Sequence, residues 1–160
     1  MAKTKKYVSK DDAQAKLMHY CAYQDRCHQE VRSKLIDMGI YGDDLEDIIT
    51  NLIIDNFLNE ERFAQSFARG KFRIKKWGKN KILRELKRKK ISPYCIKKAM
   101  KEIDDDDYSK VLQTLLEKKL PLVKGKNEYE IKVKLARYLI TKGYESELIW
   151  DAINKLFDDE

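Results

Sequence analysis

The sequence predicts an all-α protein, built as an elongated, curved array of three tandem three-helix repeats. Three observations lead there. Lys, Leu, Glu, Ile and Asp dominate the 160 residues, with only 6 Gly and 2 Pro. Leu, Glu and Lys favour helix, and few positions are marked for turns or strands. Apolar residues recur at i, i+3, i+4 and i+7, the signature of one helix face. That pattern itself repeats, with offsets of 51 and then 53 residues.

The repeat is read from two helices per copy. Val31, Ile82 and Leu135 correspond, as do Leu35, Leu86 and Leu139. In the following helix Leu45, Ile96 and Ile149 align, then Ile48, Ala99 and Ala152, then Ile49, Met100 and Ile153, then Leu52, Ile103 and Leu156. A further helix precedes each pair: about Lys10 to Tyr23, Glu60 to about Lys76, and Asp107 to about Leu120. The expected units are 1–59, 60–103 and 104–160. Ser9 with Asp12, and Asp43 with Glu46, have capping-box spacing. Ser92 before Pro93 suits a helix start. Gly39 and Gly143 fall just past helix ends, where a left-handed residue is favoured. Lys90 holds the equivalent position in the middle copy, so a different or strained turn is expected there. Asp104 to Asp107 reads as a solvated linker and negative helix start, and Pro121 to Asn127 as a loop. A unit of this size buries little alone, so neighbouring units are expected to pack as solenoid repeats do.

Hydrophobic residues make up 42% and charged residues 38%, which is too apolar for a disordered chain. No run of about 18 apolar residues exists, so no membrane span is expected. The start MAKTKKYVSKDDAQ is basic without an apolar segment after it, so a cytoplasmic protein is expected. Cys21, Cys27 and Cys95 are odd in number and lack a CxxC, which fits reduced thiols rather than a disulfide framework.

The net charge of +7 is uneven. Residues 1–59 carry 8 Lys+Arg against 10 Asp+Glu, residues 60–103 carry 16 against 4, and residues 104–160 carry 10 against 13. The middle copy therefore holds the basic character, which points to an anionic partner.

Catalytic and metal chemistry finds little support. Adjacent carboxylates at Asp104 to Asp107 diverge, and no calcium-type loop follows. His19, Cys21, Cys27 and His28 lack the pairing that gathers zinc ligands. Gly78–Lys79 is not preceded by a phosphate-loop pattern, and Gly70 completes no dinucleotide fingerprint. With two histidines in all and no nucleophile motif, hydrolytic triads are unsupported. The reading is of a binding protein, not an enzyme, with no cofactor and no metal.

Basic residues on two helices remain. Arg69, Arg73 and Lys76 recur at i, i+4 and i+7, away from Phe63 and Phe67. Lys81, Arg84, Lys87 and Arg88 share a face opposite Ile82 and Leu86. Lys75, Lys76 and Lys79 crowd the connection around Trp77, which suits either packing or stacking on a partner. Acidic residues at i±4 are scarce, so such a face repels itself. A phosphate-bearing ligand would relieve this, with an affinity that falls steeply with salt.

Three stretches resemble a known family. Arg26 to Gly39, RCHQEVRSKLIDMG, resembles the RecX pattern RSxxELxxKLxxKG at Arg26, Glu30, Leu35 and Gly39, with Cys27 for Ser, Val31 for Leu and Met38 for Lys. Asp55 to Ala64, DNFLNEERFA, is similar to the family's segment ending in [RK]-[FY]-A, through Asp55, Glu61, Arg62, Phe63 and Ala64. Gly78, Ile82, Glu85, Leu86 and Ile91 are similar to G-x-x-x-I-x-x-E-L-x-x-[KR]-G-[IV], with Lys90 in place of the usual Gly. The third copy is a looser match. The resemblance implies three-helix repeats and a regulator of the RecA recombinase, one that lies in the groove of the RecA–DNA filament and inhibits strand exchange, ATP hydrolysis and coprotease activity. The expected partners are that filament and single- or double-stranded DNA through its phosphates, with the protein a monomer. Two other readings compete. A free-standing helical DNA-binding protein would place a basic second helix in the major groove. A generic helical adaptor would use its charge for solubility only.

Overall fold

The computed structural model describes residues 8–158, and among them the chain is all-α with nine helices. They are α1 (Lys10–Tyr23), α2 (His28–Asp37), α3 (Gly42–Ile54), α4 (Glu60–Arg73), α5 (Lys79–Arg88), α6 (Pro93–Met100), α7 (Asp105–Lys119), α8 (Glu128–Lys142) and α9 (Ser146–Asp158). A short 3-10 turn, Leu120–Leu122, follows α7. No helix is long and apolar enough to cross a membrane.

The aligned apolar positions form the core. Val31, Ile82 and Leu135 are fully buried, as are Leu35, Leu86 and Leu139. Met100, Ala152 and Leu156 are only partly buried, and they pack against the core from its edge. The units do not contribute equally. Ala13, Leu17, Val31, Leu35, Ile48 and Leu52 belong to a core of the first three helices. Helices α4 to α9 share a second, larger core, into which Cys27 also reaches.

The three copies share one turn. Gly39, Lys90 and Gly143 have φ of 82°, 60° and 103°. In each case the next residue donates its N–H back to the helix: Ile40 to Leu35, Ile91 to Leu86 and Tyr144 to Leu139. The preceding donors match too, Gly39 to Ile36, Lys90 to Lys87 and Gly143 to Ile140. This is the Schellman arrangement, with Ile40, Ile91 and Tyr144 buried beneath the helix end. Lys90 therefore keeps the geometry of its glycine counterparts and carries the strain of a Cβ in the left-handed region. Lys90→Gly is expected to stabilise the fold by about 1 kcal/mol, after allowing for glycine's greater freedom when unfolded. Urea denaturation checks this, and an unchanged or lower midpoint would contradict it.

Some local expectations hold and others need correction. Ser9 caps α1 through Asp12 N–H at 3.1 Å, and Ser92 caps α6 through Cys95 N–H with Pro93 in the first turn. Asp43 is no cap: α3 begins at Gly42 (φ 65°) after Tyr41. Glu46 accepts two bonds from Arg32 instead, at 2.7 and 3.1 Å. Helix α4 ends at Arg73 rather than near Lys76, because Lys76 turns left-handed (φ 60°) and Trp77 N–H closes on Lys71 O. Asp104 is a true cap, accepting from Asp107 N–H at 3.0 Å, and Asp105 to Asp107 form the first turn of α7. Asn127 caps α8 so that it begins at Glu128, four residues before the Lys132 start the alignment implies, and this helix has 15 residues where α2 and α5 have 10.

Candidate functional site

The middle unit brings its cations together through α4, α5 and the bend between them. On α5, Arg84, Lys87 and Arg88 are exposed while Ile82 and Leu86 are sealed beneath, as the sequence spacing requires. The stripe expected on α4 is broken. Arg69 and Arg73 lie on the helix, but Lys76 sits beyond its end in the left-handed turn. Lys75 borders an open groove of about 390 Å³ that is also lined by Phe67, Lys71 and Lys89 and by Asp25 and Glu30.

Three of the predicted cations have acidic partners. Arg69 pairs with Glu102 at 3.3 Å, Lys79 with Asp105 at 3.2 Å, and Arg88 with Glu85 at 3.2 Å. Such exposed pairs contribute at most about 1 kcal/mol each, so they attenuate the field without abolishing it. Arg73, Lys75, Lys76, Lys81, Arg84 and Lys87 have no acidic partner among the described residues. These six carry the unbalanced charge.

Two further lysines join them. Phe67 and Trp77 meet edge to face at 6.3 Å. Lys71 Nζ lies 4.9 Å from the Trp77 ring centre and 5.5 Å from that of Phe67. Lys81 Nζ lies 4.5 Å from Trp77, and Lys89 Nζ 5.8 Å from Phe67. Each ammonium over a ring face gains about 0.5–1 kcal/mol at an exposed site. Trp77 is half-buried against the core. Its role is to pack and to hold two lysines in place, which leaves little open ring for a base. The sequence held a signal for Lys71 and Lys89: both fall in the basic middle copy. Neither helix face alone encodes their convergence across two helices.

Most residues that carried the family resemblance occupy joints or the core, while Glu85 lies on α5 beside Arg88. Arg26 stacks on the Tyr20 ring at 3.7 Å and donates to Tyr20 O at 3.0 Å. Glu30 accepts from Cys27 N–H at 3.4 Å and from its thiol at 3.2 Å. Burial pushes the Cys27 thiol pKa up, so the thiol keeps the proton it donates. Gly39 makes the first of the left-handed turns. Arg62 clamps the first unit to the second: it donates to Asp25 Oδ1 at 2.7 Å, to Asn56 O at 3.1 Å and to Phe57 O at 3.3 Å. Phe63, Ala64, Ile82 and Leu86 are core residues. Asp55 is the exposed residue after α3, and Glu61 lies in the first turn of α4.

Gly78 lies directly against the backbone that follows α8. Its N–H donates to Lys142 O at 2.8 Å, and Asn80 N–H donates to Gly143 O at 2.9 Å. Tyr144 Oη donates to Lys76 O at 2.9 Å, while Tyr108 Oη accepts from Lys79 N–H at 3.0 Å and donates to Glu145. Burial raises both phenols above their ordinary pKa, so both stay protonated donors. This joint fixes where α5 begins, and with it the direction of the basic face. Among the described residues, no group of three or more His, Cys, Asp and Glu side chains is placed to hold a metal.

Comparisons with known proteins agree with this architecture. Models of the second and third three-helix domains of RecX match residues 59–100 and 105–153. The chain is 31% identical over 137 residues to the regulatory protein RecX of Clostridium perfringens (strain 13 / Type A), covering 84% of this chain and 64% of that protein. It is thus shorter than that relative and spans under two thirds of it. It is 30% identical over 137 residues to the regulatory protein RecX of Prosthecochloris aestuarii, covering 86% of this chain and 88% of that protein. The crystal structure of RecX from Lactobacillus salivarius superposes with a TM-score of 0.81 and 25% identity, over 92% of this chain and 96% of that one. These relatives are named regulatory proteins. With its domain models matching more than half the residues, and its repeats folded as in that crystal structure, the chain belongs to the RecX family.

Proposed function

We propose that this protein binds the RecA–DNA filament and lowers its recombinase, ATPase and coprotease activities, acting as a cytoplasmic monomer divided into units 1–59, 60–103 and 104–160. The observation that carries the reading is the collection of six cations without acidic partners on the middle unit of a RecX-family chain. An extended array with such a face is shaped to follow a filament groove and to neutralise phosphates on its way. Titrating the protein into a RecA strand-exchange and ATPase assay tests it. Both activities are expected to fall as the protein approaches a stoichiometric ratio with RecA. No effect at that ratio would overturn the reading. Tight binding to naked duplex that RecA leaves unchanged would favour a free-standing DNA-binding protein instead.

A further inference from the structure

A second cationic surface lies outside the face described above. Helix α6 turns Cys95, Ile96 and Ala99 into the core. Its outer side carries Tyr94, Lys97, Lys98 and Lys101, spaced i, i+3, i+4 and i+7 along one face. Tyr94 is 61% exposed, and Lys98 Nζ stands 5.6 Å from its ring centre. The four side chains alone line a shallow cleft of about 230 Å³. None of the three lysines has an acidic partner among the described residues. Lys97 and Lys101 also border the depression that holds Lys79, Asp104 and Asp105, which joins this side of α6 to the start of α5.

The charges alone have a simple explanation, since the last turn of a helix favours cations. Tyr94 does not. A large ring held out in water at the start of an eight-residue helix, beside three cations that repel one another, contributes nothing to the core. We propose that this face of α6 binds single-stranded nucleic acid, with one unpaired base stacked on Tyr94 and the adjoining phosphates held by Lys97, Lys98 and Lys101. An aromatic platform within a basic groove is how strands are held without sequence preference. A duplex does not fit, because its base faces are already stacked on one another. The assignment stands apart from the filament reading, and its test uses no recombinase.

The experiment measures fluorescence anisotropy of a labelled oligo(dT) strand and of a labelled duplex, with the full chain, across a salt series. Tyr94→Ala is expected to weaken single-strand binding about tenfold, the loss of one stacked base, with little change for the duplex. Tyr94→Phe keeps the ring and is expected to bind as the parent does. The double variant Lys97→Gln with Lys101→Gln is expected to reduce the salt slope for the single strand by about 1.4, two phosphate contacts at about 0.7 each. Circular dichroism confirms that each variant is folded; Tyr94 and both lysines are exposed, so folding is not at risk. Single-strand affinity unmoved by Tyr94→Ala, or an equal loss for strand and duplex, overturns the proposal. So does a Tyr94→Phe variant as weak as the alanine, or an unchanged salt slope.

Discussion

Gly78→Ala is expected to cost about 4 kcal/mol of stability, through overpacking and lost hydrogen bonds together. A Cβ at this position would lie 2.3 Å from Gly143 C, 2.4 Å from Gly143 O and 2.4 Å from Tyr144 N. All three are backbone atoms, so no flexible side chain can swing away. The two segments must separate. Separation lengthens the bonds from Gly78 N–H to Lys142 O and from Asn80 N–H to Gly143 O, and lifts Tyr144 away from Lys76 O. Tyr108 and Tyr144, packed ring to ring at 5.1 Å and almost wholly buried, would then meet water. In urea the midpoint should fall by about 2 M. Gly143→Ala should behave similarly, since its Cβ would meet Lys81 Cβ at 2.4 Å at a φ of 103°. Gly70→Ala is the control: it is helical with nothing within 4 Å, so it should stabilise by just under 1 kcal/mol. A loss below about 1 kcal/mol for Gly78→Ala would mean that the joint yields freely.

The contrast among these glycines shows what a sequence can and cannot carry. Gly143 was legible as a helix terminator, because it follows the last periodic apolar residue of α8. Its contact with Gly78, 65 positions earlier, was not, since no local pattern encodes which two backbones will touch. The same division runs through the fold. Helix count and core positions came from periodicity: Val31, Ile82 and Leu135 are all fully buried. Boundaries came less well. The left-handed turn at Lys76 cut α4 short against its basic periodic pattern, and Asn127 extended α8 backward through residues that the repeat alignment did not reach.

The site followed a similar course. The α5 face was legible because one helix holds it. The ring of Lys71, Lys81 and Lys89 around Phe67 and Trp77 was not, because it is assembled from two helices and a bend. Ser92 and Pro93 mark a helix start, but no local pattern singles out Tyr94 beside them as an exposed ring. The motif residues Arg62, Gly78 and Leu86 hold units together. A pattern shared by a family marks what the fold requires as readily as what the ligand requires.

Reversing Arg73, Lys75, Arg84 and Lys87 to glutamate should abolish most filament and duplex binding, by at least a hundredfold at physiological salt. Each contact with duplex phosphate contributes about 0.9 to the slope of log affinity against log salt, so four lost contacts should flatten it by about 3.6. The four side chains have no acidic partner to strand and no hydrogen bond to break among the described residues. Their mutual repulsion is relieved by the change, so thermal stability should hold or rise. Lost binding together with unchanged or greater stability separates a contact surface from a structural one: a structural role would lower both. Reversal of Lys110 and Lys118, exposed on α7 in a net acidic unit, is the matched control and should leave inhibition intact. Strand exchange in the presence of each variant is the readout. If the fourfold reversal inhibits RecA as the parent does, the cations serve solubility and the filament contact lies elsewhere on the array.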